Sequence, residues 1–312
     1  MSKGRANDSQ TISLVLGSGG ARGLAHIGAI RALEENGYSI ESIAGSSMGA
    51  VIGGMHAAGK LDDYAEWVSQ LEQSDVLKLV DWTLSGGGLI RGERIIKRLK
   101  DMVGDAQIED LPIDFTAVAV DIEHGREIWL SKGPLFDAIR GSIAIPGLFT
   151  PHRYQGRLLV DGGILNPVPV APTLSCLSDM TVVINVNGPI PAGHPKRQRR
   201  PQDEKSGEAA NDSEEATFTE RIRRFFNGLV ERDGPDVEES EPGLVAMLMK
   251  SLETMESVIT RQHLAVFQPD LVVEVPKDAC MIHEFHRAGE LIELGYQRTI
   301  GAIDRLQGQS GE

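Results

Sequence analysis

The residues best suited to chemistry form the pentapeptide Gly45-Ser46-Ser47-Met48-Gly49, a G-x-S-x-G pattern. Where a strand turns sharply into a helix, side chains at the two flanking positions would clash, so glycine is needed there. The turn exposes the central hydroxyl at the carboxyl end of the strand, above the positive end of the next helix. An apolar run precedes the pentapeptide and small residues follow it. Ser47 is therefore the candidate nucleophile, and a turn needed only for packing is the alternative interpretation.

A glycine-rich turn, residues 17–23 (GSGGARG), follows the first apolar run of the chain. It is not a dinucleotide-binding fingerprint, because the sixth residue counted from Gly17 is Arg22 where G-x-G-x-x-G requires glycine. It is not a Walker loop either, because no Gly-Lys-Ser/Thr follows. The remaining interpretation is an anion-binding nest, in which backbone N–H groups at a helix N-terminus converge on negative charge. Beside a nucleophilic serine, the natural anion is the tetrahedral oxyanion.

The third candidate group is Asp161-Gly162-Gly163, which follows the apolar run 157–160. Ligands of α/β proteins bind at the carboxyl ends of the strands, so a carboxylate at this position is suited to catalysis. An Asp-Gly pair is also an ordinary turn. Taken alone, this motif leaves both interpretations open.

The elements that must position these groups alternate along the chain in a pattern typical of an α/β fold. The N-terminal part is predicted as strand, glycine turn and helix twice over, which is how a parallel sheet begins. Short apolar runs predict strands over 11–16, 40–44, 115–120, 126–131, 157–160, 180–186 and 271–275. Helical periodicity predicts helices over 21–36, 50–58, 135–142, 244–267 and 281–303.

Composition and charge restrict the classes of function. Of the 312 residues, 41% are hydrophobic and 24% charged, which is ordinary for a globular protein. The formal net charge of −14 argues against a nucleic-acid partner, because such proteins carry a basic surface. Two cysteines, without a Cys/His cluster, indicate neither a disulfide framework nor a zinc site, and no metal or organic cofactor is expected.

We predict a single domain over 11–303, with disordered tails at 1–10 and 304–312. Residues 189–241 change in composition towards Pro, Asp, Glu, Ser and Gly, which predicts a flexible charged insertion. Within it, residues 217–230 combine apolar positions at helical spacing with interleaved arginines. This segment is either a short helix that packs on the domain or a basic amphipathic segment that contacts a membrane surface.

The sequence also predicts a cellular location. No apolar run approaches the roughly 20 residues needed to span a bilayer. The first ten residues, MSKGRANDSQ, lack the apolar core of a signal peptide. We therefore expect a cytoplasmic protein, peripheral on the inner membrane face where residues 217–230 contact it.

Together, the three glycine motifs resemble the patatin-like phospholipase family. The shared pattern is G-G-x-R-G after the first strand, G-x-S-x-G after the second and D-G-G/A later in the chain. They look most similar to the compact bacterial cytoplasmic members related to the neuropathy target esterase catalytic domain. The resemblance covers residues 11–187 closely and 285–295 loosely, and it includes the stretches Asp137-Ala138-Ile139-Arg140-Gly141-Ser142, Ile145-Pro146-Gly147-Leu148-Phe149 and Pro167-Val168-Pro169-Val170.

The resemblance implies a three-layer α/β fold, with a central, mostly parallel sheet flanked by helices, and a Ser–Asp dyad. Carried over, Ser47 is the nucleophile and Asp161 is the base that accepts its proton. Gly19 and Gly20 stand where the backbone donors of the oxyanion hole are expected. The supporting residues lie in the same three motifs. They are Gly17, Ser18, Arg22 and Gly23 of the glycine-rich turn 17–23 (the glycine loop), Gly45, Met48 and Gly49 of the G-x-S-x-G turn (the elbow), and Gly162 and Gly163 after Asp161 (the aspartate motif).

The implied reaction is hydrolysis of an acyl ester of a phospholipid, a lysophospholipid or a similar lipid through an acyl-enzyme. Ser18 departs from the family pattern, since it replaces the first glycine of the usual G-G-G-x-R-G; a serine can still expose its backbone N–H there, so the departure bears on the preferred geometry of the loop and does not exclude activity. Two other functions fit the same residues. One is a catalytically idle regulatory or membrane-docking member, and the other is a lipid acyltransferase that uses the same acyl-enzyme.

The role of Arg22 stays open at this level. Its guanidinium either stabilises the glycine loop, for example through a structural salt bridge, or attracts a phosphate head group. Histidines are the remaining alternative, because a Ser-Asp-His triad would draw on His263, His283 or His286. The position of Ser47 directly after the second strand favours the dyad. His26, just inside the first helix, is expected to pack or hydrogen-bond near the glycine turn.

Overall fold

The computed structural model describes residues 10–81, 83, 88–190 and 244–309. Residues 10–190 and 256–309 belong to one compact unit, and residues 244–255 belong to a second unit. The strands are β1 (Gln10–Leu16), β2 (Tyr38–Ser46), β3 (Asp114–Asp121), β4 (Arg126–Leu130), β5 (His152–Tyr154), β6 (Arg157–Asp161), β7 (Met180–Gly188) and β8 (Leu271–Pro276). The helices are α1 (Ala25–Glu35), α2 (Met48–Ala57), α3 (Leu61–Ser69), α4 (Gln73–Leu79), α5 (Glu93–Val103), α6 (Leu135–Ser142), α7 (Leu244–Phe267) and α8 (Ala288–Gln309).

All eight strands form one sheet whose central part is parallel. Strands β3, β2, β1, β7 and β8 pair side by side in that order, and each pair is parallel. Strands β4 and β6 both pair with β3 in antiparallel orientation, and β5 pairs with β6. The predicted α/β class with a mostly parallel sheet is confirmed.

The register of β3 shows that β2 and β6 meet end to end. Ala117 and Val118 pair with β2 on one edge and with β4 on the other, while the residues from Ala119 onward pair with β4 and β6. Because β4 occupies one edge throughout, β2 and β6 must share the opposite edge. Strand β2 ends with Ser46 opposite Val118, and β6 ends with Asp161 opposite Ala119. The chain ends that carry the candidate serine and aspartate therefore lie at the same level of the sheet.

Helices and loops cover both faces of the sheet, which produces three layers. Alternate residues of β1 point to opposite faces. Leu14 and Leu16 belong to the main core cluster with residues of α1, α2, α6 and α8. Val15 belongs to a second cluster, which Leu264 and Phe267 of α7 cover from the other side.

Helices α1 and α8 pack in close contact through glycine. A Cβ atom on Gly28 of α1 would lie 1.8 Å from the carbonyl oxygen of Ile292, and one on Gly295 of α8 would lie 1.9 Å from that of Ala25. Only residues without a side chain allow the two backbones to approach this closely. This contact anchors α1, whose N-terminal end carries the glycine loop.

Several predicted boundaries were wrong. The helix predicted from residue 21 starts as a 3₁₀ turn, Gly20–Leu24, and becomes α-helical at Ala25. The last helix begins at Ala288 after a 3₁₀ turn and continues to Gln309, so residues 304–309 are not a disordered tail. Residue 10 already lies in β1. Helices α3, α4 and α5 and strand β5 were not predicted.

Two predictions fall on residues that are not described. The proposed insertion lies outside the described residues except for 189–190, and the amphipathic segment 217–230 lies wholly outside them. Its contact with a membrane stays a prediction. Among the described helices, none is both long and apolar enough to cross a membrane.

Candidate active site

Ser47 lies at a sharp turn between β2 and α2. Its backbone has φ 55° and ψ −122°, which an L-residue adopts only where the surroundings enforce it. A Cβ atom on Gly45 would lie 2.4 Å from the backbone of Gly49, and one on Gly49 would lie 2.0 Å from the carbonyl oxygen of Leu16. Both glycines are therefore required by contact, as the G-x-S-x-G pattern predicts.

The Ser47 hydroxyl donates a hydrogen bond to Asp161. The distance from Oγ to Oδ2 is 2.6 Å, in the range of a charge-assisted O–H···O⁻ bond. The other carboxylate oxygen, Oδ1, accepts from the backbone N–H of Gly163 at 2.7 Å. Ser47 is 5% exposed and Asp161 4% exposed. The structure thus brings the predicted nucleophile and base into direct contact.

Burial makes Asp161 an unusually basic carboxylate. Removal from water raises the pKa of its carboxyl from the ordinary 3.8 to about 7, against the opposing hydrogen bonds from Ser47 and Gly163. The apolar surroundings disfavour the charged form more than two donors can offset. At neutral pH this carboxyl is close to half ionised.

The glycine loop presents two backbone amides without a hydrogen-bond acceptor in the part of the chain that the structure describes. The N–H groups of Gly17, Ser18 and Ala21 donate to backbone carbonyls at 2.8 to 3.1 Å. Among the hydrogen bonds of the described residues, the N–H groups of Gly19 and Gly20 have no acceptor. Two such donors on adjacent residues, at the start of a helical turn, are suited to bind an anion.

The loop takes its shape from close packing against its neighbours. Gly20 has φ 56°, and a Cβ atom there would lie 2.7 Å from the carbonyl oxygen of Ile282. A Cβ atom on Gly23 would lie 2.4 Å from Met48 Cγ, so the loop packs directly on the elbow. Glycine at these positions therefore sets the distance between the loop and Ser47.

Arg22 and His26 support the loop from beneath. Arg22 is 5% exposed and donates to the carbonyl oxygens of Gly19 (3.3 Å) and Lys277 (2.7 Å), which favours the loop-stabilising interpretation over a phosphate contact. His26 is buried, and its Nε2 lies 2.8 Å from the Gly17 carbonyl oxygen. Because a carbonyl only accepts, Nε2 must carry the proton. Burial lowers the pKa of His26 to about 4 despite this bond, so the ring is neutral.

Ser18 fits the loop without strain. Its φ is not among the positive ones, so the position does not demand glycine. The Ser18 hydroxyl donates to Glu256 of α7 at 3.3 Å, and its carbonyl oxygen accepts from Asn187 Nδ2 at 2.8 Å. At position 18 the conformational freedom of a glycine is therefore not needed, and the serine side chain adds a hydrogen bond to Glu256.

Ser142, at the end of α6, is a site residue that sequence reasoning did not assign. Its hydroxyl accepts from the Ser47 backbone N–H at 2.9 Å and donates to the Val118 carbonyl oxygen at 2.6 Å. It thereby ties the elbow to β3. Its place in the stretch Asp137-Ala138-Ile139-Arg140-Gly141-Ser142 was the available signal, but the contact spans 95 residues and depends on the fold.

Of the three histidines that could complete a triad, His263 is engaged elsewhere. Both carboxylate oxygens of Asp161 are engaged by Ser47 and Gly163, and the Ser47 hydroxyl points to the carboxylate. His263 lies 3.1 Å from Asn166 Oδ1, and Asn166 in turn donates to Glu127 at 2.9 Å. Within the described residues, no group of three or more His, Cys, Asp and Glu side chains is arranged to hold a metal ion.

The fold and the site define an α/β protein with a buried serine–aspartate pair beside a glycine loop. The family model for patatin-like phospholipases matches residues 14–174, which is 161 of the 312 residues. The chain belongs to the patatin-like phospholipase family. Membership of this family implies hydrolysis of lipids.

Several relatives share most of the chain. An uncharacterized NTE family protein from Mycobacterium tuberculosis is 40% identical, over 97% of this chain and 94% of its own length. Lysophospholipase NTE1 from Coccidioides immitis is 27% identical over 97% of this chain, which corresponds to 18% of that protein. Among solved structures, VipD from Legionella pneumophila matches with a TM-score of 0.45 and 14% identity, over 96% of this chain and 67% of that one.

Proposed function

We propose that this protein is a serine lipid-acyl hydrolase that uses Ser47 as nucleophile and Asp161 as general base. The observation that carries the proposal is the 2.6 Å hydrogen bond from Ser47 Oγ to Asp161 Oδ2. A candidate base must lie within hydrogen-bond reach of the proton it abstracts, and this pair meets that condition. The substrate class is an acyl ester of a phospholipid or lysophospholipid, and the similarity to the lysophospholipase of C. immitis supports the latter.

In the first half-reaction, Asp161 takes the hydroxyl proton as Ser47 Oγ bonds to the acyl carbon. The carbonyl oxygen becomes an oxyanion, which the free N–H groups of Gly19 and Gly20 bind. When the tetrahedral intermediate collapses, the bond to the leaving alcohol breaks and Asp161 returns its proton to that oxygen. Ser47 then carries the acyl group as an ester.

In the second half-reaction, a water molecule takes the place of the alcohol. Asp161, ionised again, accepts a proton from this water as its oxygen attacks the acyl carbon. Collapse of the second tetrahedral intermediate releases the fatty acid and returns the proton to Ser47 Oγ. Transfer to an alcohol instead of water would make the protein an acyltransferase, which differs only in the acceptor.

The pKa of Asp161 fits this task. A general base works best when its pKa lies near the operating pH, since it is then both ionised and basic enough. Burial raises the pKa of Asp161 to about 7, whereas an exposed aspartate would be a far weaker base. A single carboxylate can thus act without a histidine.

The same contacts favour an active enzyme over a catalytically idle member. An idle protein has no need of the positive φ at Ser47 or of two amides that find no acceptor among the described residues. Such features cost free energy and are typical of functional sites.

Hydrolysis of a short-chain p-nitrophenyl ester tests the proposal. We expect Ser47→Ala and Asp161→Asn each to abolish turnover while the protein remains folded. The matched control is Ser46→Ala, since this neighbouring hydroxyl is fully buried and has no hydrogen-bond partner within the described residues. Full activity of Ser47→Ala, or equal losses in all three variants, would refute the mechanism.

A further inference from the structure

A cavity of about 450 Å³ lies at the carboxyl ends of β7 and β8, beside the C-terminal half of α7. Its lining combines apolar residues, among them Pro189, Ile190 and Leu264, with the polar or charged residues Asn185, Asn187, Thr260, Arg261, Glu274 and Lys277. Carboxyl ends of parallel strands are where α/β folds bind ligands. The volume is within the range of small-molecule sites.

This cavity borders the glycine loop of the candidate active site. Asn187 donates from Nδ2 to the carbonyl oxygen of Ser18, the residue before Gly19. The carbonyl oxygen of Lys277 accepts from Arg22 at the far end of the same loop. Two lining residues therefore hold the segment that carries Gly19 and Gly20, so the cavity lies directly beside the glycine loop.

The cavity carries two cations that lack partners among the described residues. The side chains of Arg261 and Lys277 make no ion pair or hydrogen bond with any described residue. Glu274 contributes the opposite charge, which leaves the lining with an excess of one positive charge. This local excess contrasts with the overall charge of −14 and favours an anionic ligand.

A buried hydroxyl in the lining of the same cavity also lacks a partner within the described ranges. Thr260 is 3% exposed, and its Oγ1 makes no hydrogen bond within the described part of the chain. Buried polar atoms are nearly always paired, so a lone hydroxyl in a cavity indicates a ligand or water that completes it. A hydroxyl next to two cations is a suitable set of donors for phosphate oxygens.

We propose that this cavity binds the phosphodiester head group of a phospholipid or lysophospholipid whose acyl ester is attacked at Ser47. The proposal rests on the hydrolase function proposed above and adds a preference for phosphorylated lipids over neutral acylglycerols. Arg261 and Lys277 neutralise the phosphate, and Thr260 donates one hydrogen bond to it.

The test compares kcat/KM for a lysophospholipid with that for a monoacylglycerol of the same acyl chain. In the double variant Arg261→Gln/Lys277→Gln, we expect the ratio to fall about tenfold, the effect of losing a charge-assisted contact. The matched control is Arg298→Gln/Arg305→Gln, which removes two positive charges from the neighbouring cavity. An unchanged ratio in the double variant, or an equal fall in the control, would overturn the proposal.

Thr260→Val provides a second variant that preserves the fold. Valine has nearly the same shape, and removal of an unpaired buried hydroxyl does not cost stability. We expect an unchanged or higher melting temperature together with a lower preference for the lysophospholipid. A lower melting temperature with an unaltered preference would show that the hydroxyl is structural.

Direct binding separates this proposal from the proposed reaction. The Ser47→Ala protein, which cannot turn over substrate, is titrated with glycerophosphocholine and with inorganic phosphate. Stronger binding of glycerophosphocholine, lost in Arg261→Gln/Lys277→Gln, supports a lipid head-group site even if wild-type protein hydrolyses no ester. Equal binding of inorganic phosphate would assign the cavity to free phosphate and overturn the head-group proposal. Binding of neither compound would refute the proposal as well.

Discussion

Asp161→Asn should stabilise the protein in a way that depends on pH. In the protonated wild type, Oδ1 accepts from the Gly163 N–H and the carboxyl hydroxyl can donate to Ser47 Oγ. Asparagine reproduces this arrangement, with its oxygen towards Gly163 and its NH₂ towards Ser47. The variant therefore mimics the protonated carboxyl at every pH and avoids the free-energy cost of a buried charge.

The magnitude follows from the raised pKa of Asp161. The folded protein binds this proton with a pKa of about 7, and the unfolded chain with the ordinary 3.8. A raised folded-state pKa stabilises the protein below about pH 4, and this contribution is lost as pH rises through about 7. The difference, converted at about 1.4 kcal/mol per pH unit, gives about 4 kcal/mol. The variant should therefore match the wild type near pH 4 and exceed it by about 4 kcal/mol near pH 8.

Urea unfolding at several pH values measures this difference, with circular dichroism as the probe. Comparing the two proteins at each pH cancels the contributions of the other titrating groups to the free energy of unfolding. Ser47→Ala is the control, since it keeps the carboxyl and should still lose stability as pH rises, up to a higher pH than the wild type because the hydrogen bond that lowers the Asp161 pKa is gone. A stability difference between wild type and Asp161→Asn that does not change with pH would show that Asp161 titrates normally. If the free energy of unfolding of the wild type instead rose relative to that of Asp161→Asn with increasing pH, the argument that burial raises the Asp161 pKa would be contradicted.

Three further predictions concern activity and packing. Because only ionised Asp161 can accept a proton, kcat/KM for a soluble ester should rise with pH up to about 7 and then level off, and a flat profile would contradict this. Gly28→Ala, whose Cβ would lie 1.8 Å from a backbone oxygen of α8, should lower the free energy of unfolding by about 2–4 kcal/mol. Its control is Gly289→Ala in α8, where an added Cβ would have no neighbouring atom within 4 Å. This variant should leave the free energy of unfolding unchanged or raise it by up to about 1 kcal/mol, and urea unfolding measures both variants. Ser142→Ala should lower kcat about tenfold with activity still measurable, because the Ser47 N–H loses its acceptor.

Local constraints explain why the elbow and the glycine loop could be predicted from sequence. Gly45 is required by contact with Gly49 within the turn itself, and Gly49 by contact with Leu16 at the end of the neighbouring strand β1, so both leave a recognisable spacing. Gly20 is required by its positive φ in the same way. Each requirement depends on backbone sterics, which act alike in any chain that makes the turn.

The strand that carries Asp161 shows where prediction stops. The apolar run 157–160 predicts a strand, but its apolar pattern is the same whether the strand runs parallel or antiparallel. In the structure β6 is antiparallel to β3, and Asp161 reaches Ser47 because β6 stops where β2 ends on the same edge. Ser142 was missed for a similar reason, since its two contacts depend on how α6 packs against β3.

The central claim is that Ser47 is a nucleophile activated by Asp161, and covalent labelling tests it most directly. Wild-type protein is treated with a fluorophosphonate near pH 8 and the modified peptide is located by mass spectrometry. We predict one adduct, on Ser47, that is absent from Ser47→Ala and forms far more slowly in Asp161→Asn, where the base is lost. Label on another residue, or equal labelling of Asp161→Asn, would contradict the dyad.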